Sequence, residues 1–379
     1  MIYLDYAADT PVDPLVIETL KAISSTFYGN PNAAHKFGLQ SRDLITGALT
    51  RIAQLLDLDN SYEIIPLSSA SEANNLAIRG IAESYTGRGK RILSVISEHS
   101  SVSGTLTHLK NNGWIVDLVR LKSNGIIDFD HLKSLLTPDT VLLSLATVES
   151  ELGVIQPLNQ ILHILKDYPN CKFHTDATQA VGKLMPCYKG IDCITFAAHK
   201  FYGFNGAGFL ARHKETILTP IIHGHGGISI YHSGTPSAPL IASACKALEL
   251  ATASYISDLK HITNLNTVLR EKLELIKGVK IFSPKDATPY ILNIGIKNIK
   301  STDICDCLDS YNVCVSSKSA CTPRGMPSKI VFAITGNKAD ALSSFRISLG
   351  RQTTLKEINE FLDILGLCLI KLCHMTYDI

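Results

Sequence analysis

Short apolar runs alternate with helix-compatible segments along residues 64–211, and this alternation restricts the fold more than any other feature of the sequence. The apolar runs cover residues 64–67, 91–96, 114–119, 141–148, 172–175, 193–196 and 208–211. Residues 71–84, 102–112, 130–136 and 158–167 can each form a helix of about two to four turns, as crossover connections in a mostly parallel sheet require. The pattern predicts an α/β fold that binds ligands at the carboxyl ends of its strands.

The pattern changes after about residue 255. Helices are predicted at 257–276, 302–310 and 355–372, with a strand at 290–294. The chain has 379 residues, and a domain usually has about 100–200, so two domains are expected. We predict a large domain over residues 15–255, a smaller α+β domain over residues 256–379, and an N-terminal segment, residues 1–14, that contributes to the small domain or to the active site.

Composition and charge exclude several classes of partner. The 36 Lys and Arg residues nearly balance the 34 Asp and Glu residues, so the chain has no basic surface of the kind that binds nucleic acid or an anionic membrane. No stretch reaches the ~18 consecutive apolar residues of a membrane span, and Asp5 interrupts the N-terminal apolar run. We expect a cytoplasmic protein with no membrane partner, whose ten cysteines are thiols. Neither Cys305-x-Cys307 nor His223-x-His225 has recognisable further ligands, so we predict no metal site.

A lysine and an aspartate follow two of the apolar runs. Lys200 comes just after the run at 193–196, where partial burial favours the uncharged amine that reacts with an aldehyde such as pyridoxal phosphate. Asp176 follows the run at 172–175, where its carboxylate can keep a pyridine nitrogen protonated. Each residue also has an ordinary explanation, and for Asp176 it is a helix N-cap ahead of residues 177–181.

Two further segments end at the same predicted edge of the sheet. Ser71 belongs to a run of small polar residues between a strand and a helix, which suits phosphate binding or a simple helix cap. His99 follows the run at 91–96, so its imidazole can stack on a cofactor ring or carry protons. A histidine satisfied within the core is the alternative.

Motifs along the whole chain resemble, in their order, the cysteine desulfurases of the NifS/IscS group, which belong to the class V aminotransferases. The motifs are Tyr3-Leu-Asp-Tyr-Ala-Ala, Gly29-Asn-Pro-Asn-Ala-Ala-His35, Ser71-Glu-Ala-Asn-Asn-Leu-Ala77, Glu98-His99, Glu151-Leu-Gly-Val-Ile-Gln-Pro157, Asp176-Ala-Thr-Gln-Ala-Val-Gly-Lys183, His199-Lys200, Ser233-Gly-Thr235, Ser319-Ala-Cys321 and Arg346-Ile-Ser-Leu-Gly-Arg351. The resemblance implies the fold type I of PLP-dependent transferases, with a mostly parallel central sheet in the large domain, and pyridoxal 5'-phosphate (PLP) as cofactor.

The resemblance also implies roles for individual residues. Lys200 would bond covalently to the aldehyde carbon of PLP, Asp176 would pair with the pyridine nitrogen, and Gln179 would bond the phenolic oxygen. His99 would stack on the ring and move protons. The phosphate would be held by Ser71, His199 and, from the other subunit of a homodimer, Thr235.

The remaining implied roles concern the substrate, L-cysteine. Arg346 would clamp its carboxylate, for which a planar guanidinium is suited. Cys321, in a small, polar and proline-broken segment, would be the nucleophile, with Lys318 and Arg324 favouring its thiolate. The products would be L-alanine and a persulfide on Cys321, passed to a sulfur-acceptor protein in a pathway such as iron–sulfur cluster assembly or tRNA thiolation.

Several positions depart from the family pattern. Glu149-Ser150 stands where an Asn pair or Asn-Ser is usual, which would place a carboxylate and a hydroxyl near the substrate, and Ala197 replaces a serine of the expected phosphate site. The other departures are His232 for arginine, Lys318 for glycine, Asp9 for threonine and Asn205 for lysine. They leave open a related PLP enzyme with an altered substrate, such as selenocysteine, and a non-catalytic sulfur-carrier or partner protein.

Overall fold

Helices and strands alternate through most of the chain in the computed structural model, which describes residues 1–224, 226–318 and 325–375. The helices are α1 (Pro14–Thr26), α2 (Lys36–Leu55), α3 (Ala70–Ser84), α4 (Ser100–Asn111), α5 (Phe129–Leu135), α6 (Leu158–Leu165), α7 (Ala238–Glu274), α8 (Ser301–Ser310), α9 (Lys329–Thr335), α10 (Lys338–Ser343) and α11 (Leu355–Met375). The strands are β1 (Ile2–Tyr3), β2 (Tyr62–Leu67), β3 (Arg91–Val95), β4 (Ile115–Val119), β5 (Thr140–Ala146), β6 (Lys172–Asp176), β7 (Cys193–Ala197), β8 (Gly208–His213), β9 (Gly226–Ser229), β10 (His232–Ser233), β11 (Val279–Ile281), β12 (Ile291–Ile296), β13 (Val313–Cys314) and β14 (Ser344–Ser348).

The large sheet has, within the described residues, seven strands in the order β2-β8-β7-β6-β5-β3-β4. Strand β8 runs antiparallel to β2 and β7, and the other neighbours are parallel. The prediction of a mostly parallel sheet is therefore confirmed. Because β2, β3, β5, β6 and β7 all point the same way, their carboxyl ends meet along one edge.

The start of helix α3 shows how local sequence shapes this edge. Ser69 is the N-cap, and its side chain accepts a hydrogen bond from the backbone N–H of Glu72 at 3.1 Å. Gly208 at the start of β8 lies against the Ser69 backbone, where a Cβ would come within 2.2 Å of the Ser69 carbonyl carbon. Glycine at 208 thus allows the strand and the helix start to touch.

Helix α7 corrects the prediction of a helix at 257–276, since it begins nineteen positions earlier, at Ala238. Its first half buries Ile241 and Leu248 in the core of the large sheet, and its second half buries Ile262 and Leu269 in a second hydrophobic cluster. After Pro239 in its first turn no proline or glycine interrupts it, so the helix passes from one core to the other. The predicted boundary at 255/256 falls inside this helix, and the domain limits remain a prediction.

The second hydrophobic cluster covers an antiparallel sheet in the order β11-β12-β14, with helices α8 and α11 contributing buried side chains. The N-terminus joins it: β1 pairs in parallel with β13, and Ile2 and Leu4 are buried in this cluster. The chain then continues to Ala7 and Ala8 at the edge of the large sheet. No helix among the described residues is long and apolar enough to cross a membrane.

Candidate active site

A cavity opens at the carboxyl ends of the parallel strands. It brings together eight of the predicted site residues, namely Ser71, His99, Ser150, Asp176, Gln179, His199, Lys200 and Arg346. They come from segments that follow β2, β3, β5, β6 and β7, and from β14 of the second sheet. The N-terminal segment adds Ala7 and Ala8 to the wall.

Lys200 ends a short 3-10 turn, Ala198–Lys200, directly after β7. Its Nζ donates hydrogen bonds to the carbonyl oxygens of Ala7, at 2.9 Å, and Ala8. Burial and the positive charge of Arg346 lower its pKa to about 8, while the nearby carboxylate of Asp9 partly opposes them. About a tenth of this amine is therefore uncharged at pH 7, far more than for an ordinary lysine, and the uncharged form is the one that attacks an aldehyde.

Asp176 is buried at the end of β6, and its two carboxylate oxygens have different partners. Oδ1 accepts the backbone N–H of Thr178 at 2.9 Å, a local turn contact and not the helix N-cap considered from the sequence, since residues 178–183 form turns. Oδ2 accepts from Nδ2 of Asn74 at 2.8 Å. Asn74, which the sequence analysis did not single out, also contacts Ser101 and accepts from the hydroxyl of Thr195. It fixes the carboxylate from the side of helix α3.

Gln179 is held at both ends of its amide. Nε2 donates to the carbonyl of Ala7 at 2.8 Å, and Oε1 accepts from Nζ of Lys183 at 3.1 Å. Lys183 is buried outside the cavity, and burial together with the charges of Lys200 and Arg346 lowers its pKa to about 7. The sequence analysis quoted Lys183 only as the end of a motif, although a lysine four residues after Gln179 lies on the same face of a helical turn.

His99 is the N-cap of helix α4, and its Nδ1 accepts the backbone N–H of Ser101 at 3.2 Å. Burial lowers the pKa of His99, so the ring is neutral and carries its proton on Nε2. The preceding Glu98 is buried, and its Oε1 accepts the backbone N–H of Ala146 at 2.8 Å. Burial and the charges of Asp176 and Glu149 raise the pKa of Glu98 to about 8. A protonated acid and a neutral imidazole therefore adjoin each other in the chain.

The predicted phosphate-binding residues separate into two places. Ser71, in the first turn of helix α3, and His199 both line the cavity. Burial and the neighbouring Lys200 lower the pKa of His199 to about 4, so it is neutral. Thr235 instead lines another cavity, beside His232 and Ser68. A single chain therefore does not bring Thr235 to the residues around Lys200.

Arg346, on strand β14, is almost completely buried and reaches the cavity from the second sheet. Its Nη2 lies 3.0 Å from Oδ1 of Asp5, and its Nη1 donates to the carbonyl of Ser150 at 2.8 Å. The guanidinium is thus held in one plane, facing the wall that carries Lys200.

Glu149 does not contribute to the cavity wall, in contrast to the expectation that its carboxylate approaches the substrate. Its two oxygens accept the backbone N–H groups of Glu151 and Leu152, so the side chain folds back into its own turn. Burial and the charge of Glu151 raise its pKa. The adjacent Ser150 does line the cavity.

Cys321 lies outside the described residues, as does Arg324. The described segment that precedes them is tied to the cavity, because Ser316 exchanges two backbone hydrogen bonds with Arg346, at 2.7 and 3.2 Å. The Ser316 hydroxyl also donates to Oδ2 of Asp5 at 2.8 Å. The segment that leads to Cys321 therefore begins beside Arg346, the residue predicted to bind the substrate carboxylate.

Three of the family departures, His232, Asn205 and Asp9, form contacts of their own. His232 Nε2 lies 2.9 Å from Oε1 of Glu72, and this contact, with help from Ser68, lowers the pKa of Glu72 to about 2. Asn205 donates to Oδ2 of Asp9 at 2.9 Å, so two substituted positions pair with each other.

Lys318 and Ala197, two further departures, are buried away from solvent. Lys318 is 4% exposed, and its Nζ has no hydrogen-bond partner in the described part of the chain. Burial lowers its pKa, while the charge of Glu151 partly opposes this. Ala197 is fully buried at the end of β7 and is not part of the described cavity wall.

Two buried polar atoms at the cavity lack partners among the described residues: Oγ1 of Thr178 and Nε of Arg346. Buried polar groups are normally paired, so these atoms indicate that the cavity receives a polar ligand. The sequence analysis assigned no role to Thr178, which it quoted only within a motif. No group of three or more potential metal ligands is found in residues 1–224, 226–318 and 325–375, and His225 falls outside them.

The chain matches known proteins over nearly its full length. Residues 2–361 match the Aminotransferase class-V family. Cysteine desulfurase IscS of Buchnera aphidicola is 36% identical over 366 residues, which are 94% of this chain and 90% of that protein. Cysteine desulfurase IscS of Rickettsia prowazekii is 35% identical over 368 residues, which are 94% and 88% of the two chains.

Solved structures agree with these matches. A structure described as a NifS-like protein has a TM-score of 0.91 at 30% identity and covers 97% of this chain and 99% of its own. A NifS-like protein from Rickettsia africae has a TM-score of 0.88 at 29% identity, with the same coverage. The expected fold and the resemblance to the NifS/IscS group are thereby confirmed. The chain belongs to the class-V aminotransferase family.

Proposed function

We propose that this chain is a PLP-dependent cysteine desulfurase that converts L-cysteine to L-alanine and leaves a persulfide on Cys321. The observation that carries the proposal is one cavity that holds the partly buried amine of Lys200, the buried carboxylate of Asp176 and the buried guanidinium of Arg346. Relatives of about 35% identity that carry the name cysteine desulfurase support the same activity.

The residues present fit PLP. Lys200 supplies the amine for its aldehyde carbon, and Asp176 supplies the carboxylate for its pyridine nitrogen. Gln179 offers an amide N–H to the phenolic oxygen, and His99 lies at the same edge of the sheet, where it can face the ring. The hydroxyl of Thr178, which has no hydrogen-bond partner among the described residues, would be a further donor for the cofactor. When bound, PLP would supply an electron sink that weakens bonds at the α- and β-carbons of an amino acid.

The proposed binding of the PLP phosphate requires residues from two subunits. Ser71 and His199 would hold the phosphate from one chain, and Thr235 would reach it from the other chain of a homodimer. The position of Thr235 in a separate cavity supports this, since it is away from the residues around its own Lys200. His232, paired with Glu72, would fix the hairpin that leads to Thr235.

Arg346 would orient the substrate by binding its carboxylate, with Ser150 beside it. The neutral His99 would donate the proton that it carries at Nε2 and take a proton back at the same atom. The thiolate of Cys321 would attack the sulfur of cysteine, so that an S–S bond forms as the C–S bond breaks. The β-carbon of the substrate takes up a proton, alanine leaves, and the outer sulfur passes to an acceptor protein.

We further propose a cytoplasmic location, where thiols such as Cys171 and Cys193 stay reduced.

The visible spectrum of the purified protein, followed by addition of L-cysteine and a reductant, tests the proposal. We expect a PLP absorbance band and equal amounts of alanine and sulfide. Lys200→Ala should abolish the band. Cys321→Ser should retain the band and lose the persulfide, with Cys187→Ser, at an exposed position outside the site, as the matched control. A protein without the band, or sulfide release that persists in Cys321→Ser, would contradict the proposal.

A further inference from the structure

A partly buried lysine and a buried lysine lie at opposite ends of one short chain of hydrogen bonds. Lys183 donates to Oε1 of Gln179 at 3.1 Å, Nε2 of Gln179 donates to the carbonyl of Ala7 at 2.8 Å, and Lys200 donates to the same carbonyl at 2.9 Å. Lys200 lines the cavity, whereas Lys183 lies behind its wall and is 6% exposed. Lys183 therefore does not reach the ligand space and has no role in the proposed chemistry.

Both partners of the Gln179 amide favour the same orientation. The ammonium form of Lys183, present below its pKa of about 7, offers three donors and no acceptor, so it can face only the amide oxygen, and the neutral amine still keeps two hydrogens for that oxygen. The carbonyl of Ala7 is only an acceptor, so it can face only the amide nitrogen. The alternative orientation would place donor against donor and acceptor against acceptor in a buried site, and leaving buried hydrogen bonds unmade is unfavourable. The orientation of the amide is thus fixed by chemistry at both ends.

The amide nitrogen has two hydrogens, and Ala7 uses one of them. Because Gln179 lines the cavity, the other hydrogen can serve a ligand that binds there. A neutral, apolar residue at position 183 would leave Oε1 without a donor, and the amide would gain from turning away to find one.

We propose that Lys183 is a positioning residue, which holds the amide of Gln179 with its N–H toward the cavity so that the site presents a donor to the ring oxygen of the cofactor. This inference rests on the proposed function for the identity of the cofactor. The orientation of the amide rests only on the contacts of this chain.

Lys183→Met, Gln179→Leu and the double variant test the inference through the absorbance spectrum and the PLP dissociation constant of each protein. Loss of one hydrogen bond to a charged oxygen should weaken PLP binding roughly tenfold in Lys183→Met and shift its visible band. If Lys183 acts through Gln179, the double variant should match Gln179→Leu alone. Lys172→Met, which removes a partly buried lysine at the opposite end of strand β6, is the control and should leave both readouts unchanged.

A crystal structure of the unloaded Lys183→Met protein provides a second measurement that needs no cofactor. We expect the amide of Gln179 to have left the Ala7 carbonyl. The inference fails if the Gln179 amide keeps its place in the crystal structure, or if the spectrum of Lys183→Met is unchanged. It also fails if Lys183→Met has the same effect on PLP binding in the Gln179→Leu background as in the wild type, because the lysine would then act only as a distant charge. A wild-type protein that binds no PLP would refute the proposed function, and the crystal structure would still decide the position of the amide.

Discussion

The buried Arg346 and the partly buried Asp5 form an ion pair at the edge of the cavity, with Nη2 of the arginine 3.0 Å from Oδ1 of the aspartate. The carbonyl of Ser150 accepts from the other terminal nitrogen at 2.8 Å. Together these contacts fix the plane of the guanidinium, while Nε stays without a partner among the described residues. The arginine is therefore oriented in advance for an anion that enters the cavity.

Replacing Arg346 by Lys should raise the KM for L-cysteine by roughly ten- to a hundredfold, because an ammonium keeps the charge but loses the planar fork. The PLP absorbance band should remain, which separates this effect from loss of the cofactor. Steady-state kinetics on the loaded protein measure it. Arg270→Lys is the control, since Arg270 bonds Asn266 and the backbone of Ser283 in the small sheet region, away from the cavity. An unchanged KM in Arg346→Lys would rule out the clamp.

Lys200 should capture PLP faster as the pH rises, with a midpoint near pH 8. Burial and Arg346 lower its pKa to about 8, and only the deprotonated amine attacks an aldehyde. The negative charge of Asp9 raises this pKa, so Asp9→Asn should move the midpoint to lower pH. Asp43→Asn, at an exposed position on helix α2, should not move it. The rate at which the band appears in PLP-free protein measures both effects, and a midpoint above pH 9 would contradict the assigned environment of Lys200.

The strand ends could be predicted from the sequence because the pattern is local. Apolar runs of four to eight residues give the strands, and parallel strands bring Asp176, His99 and Lys200 to one edge whatever the details of packing. The start of helix α7 was wrong by nineteen positions, since a long helix shared by two cores has no change of pattern at the point where the first core ends.

Contacts between distant segments could not be predicted in this way. Asn74 and Asp176 are 102 positions apart, and nothing in the sequence around Asn74 distinguishes it from the exposed side of the same helix. The Glu149 carboxylate was expected near the substrate. Instead it accepts hydrogen bonds from the backbone N–H groups of Glu151 and Leu152, which lie close to it because they are near in the chain. The direction of a side chain, unlike the order of the strands, depends on which hydrogen-bond partners lie nearest to it in the folded chain.

Asn74→Ala should weaken PLP binding about tenfold and lower the free energy of unfolding by about 1–3 kcal/mol, since the buried Asp176 and Thr195 each lose a partner. Asn75→Ala is a matched control on the same helix: Asn75 donates only to the carbonyl of Ser71 on the exposed side and should change the stability by less than about 0.5 kcal/mol. Urea unfolding and PLP titration measure the two quantities. Equal effects of the two substitutions would show that Asn74 does not support Asp176.

Glu98 makes the stability depend on pH in a defined direction. Burial and the charges of Asp176 and Glu149 raise its pKa from 4.5 to about 8 in the folded protein. Between these two values the folded state keeps a proton that the unfolded chain has released. Unfolding therefore releases a proton, and the free energy of unfolding falls as the pH rises from about 5 to about 8, then levels off.

Glu98→Gln should remove this dependence, because an amide does not titrate and its oxygen can still accept the backbone N–H of Ala146. The variant should resemble the wild type at pH 5 and exceed its stability by a few kcal/mol at pH 8.5. Urea unfolding of the PLP-free protein at the two pH values measures the difference. Glu18→Gln, which alters an exposed pair with Lys21, should show no comparable change with pH. If the free energy of unfolding of the wild type instead exceeds that of Glu98→Gln by an amount that grows with pH, then Glu98 is ionised in the folded protein. Only a carboxylate that folding stabilises contributes more to the free energy of unfolding as the pH rises.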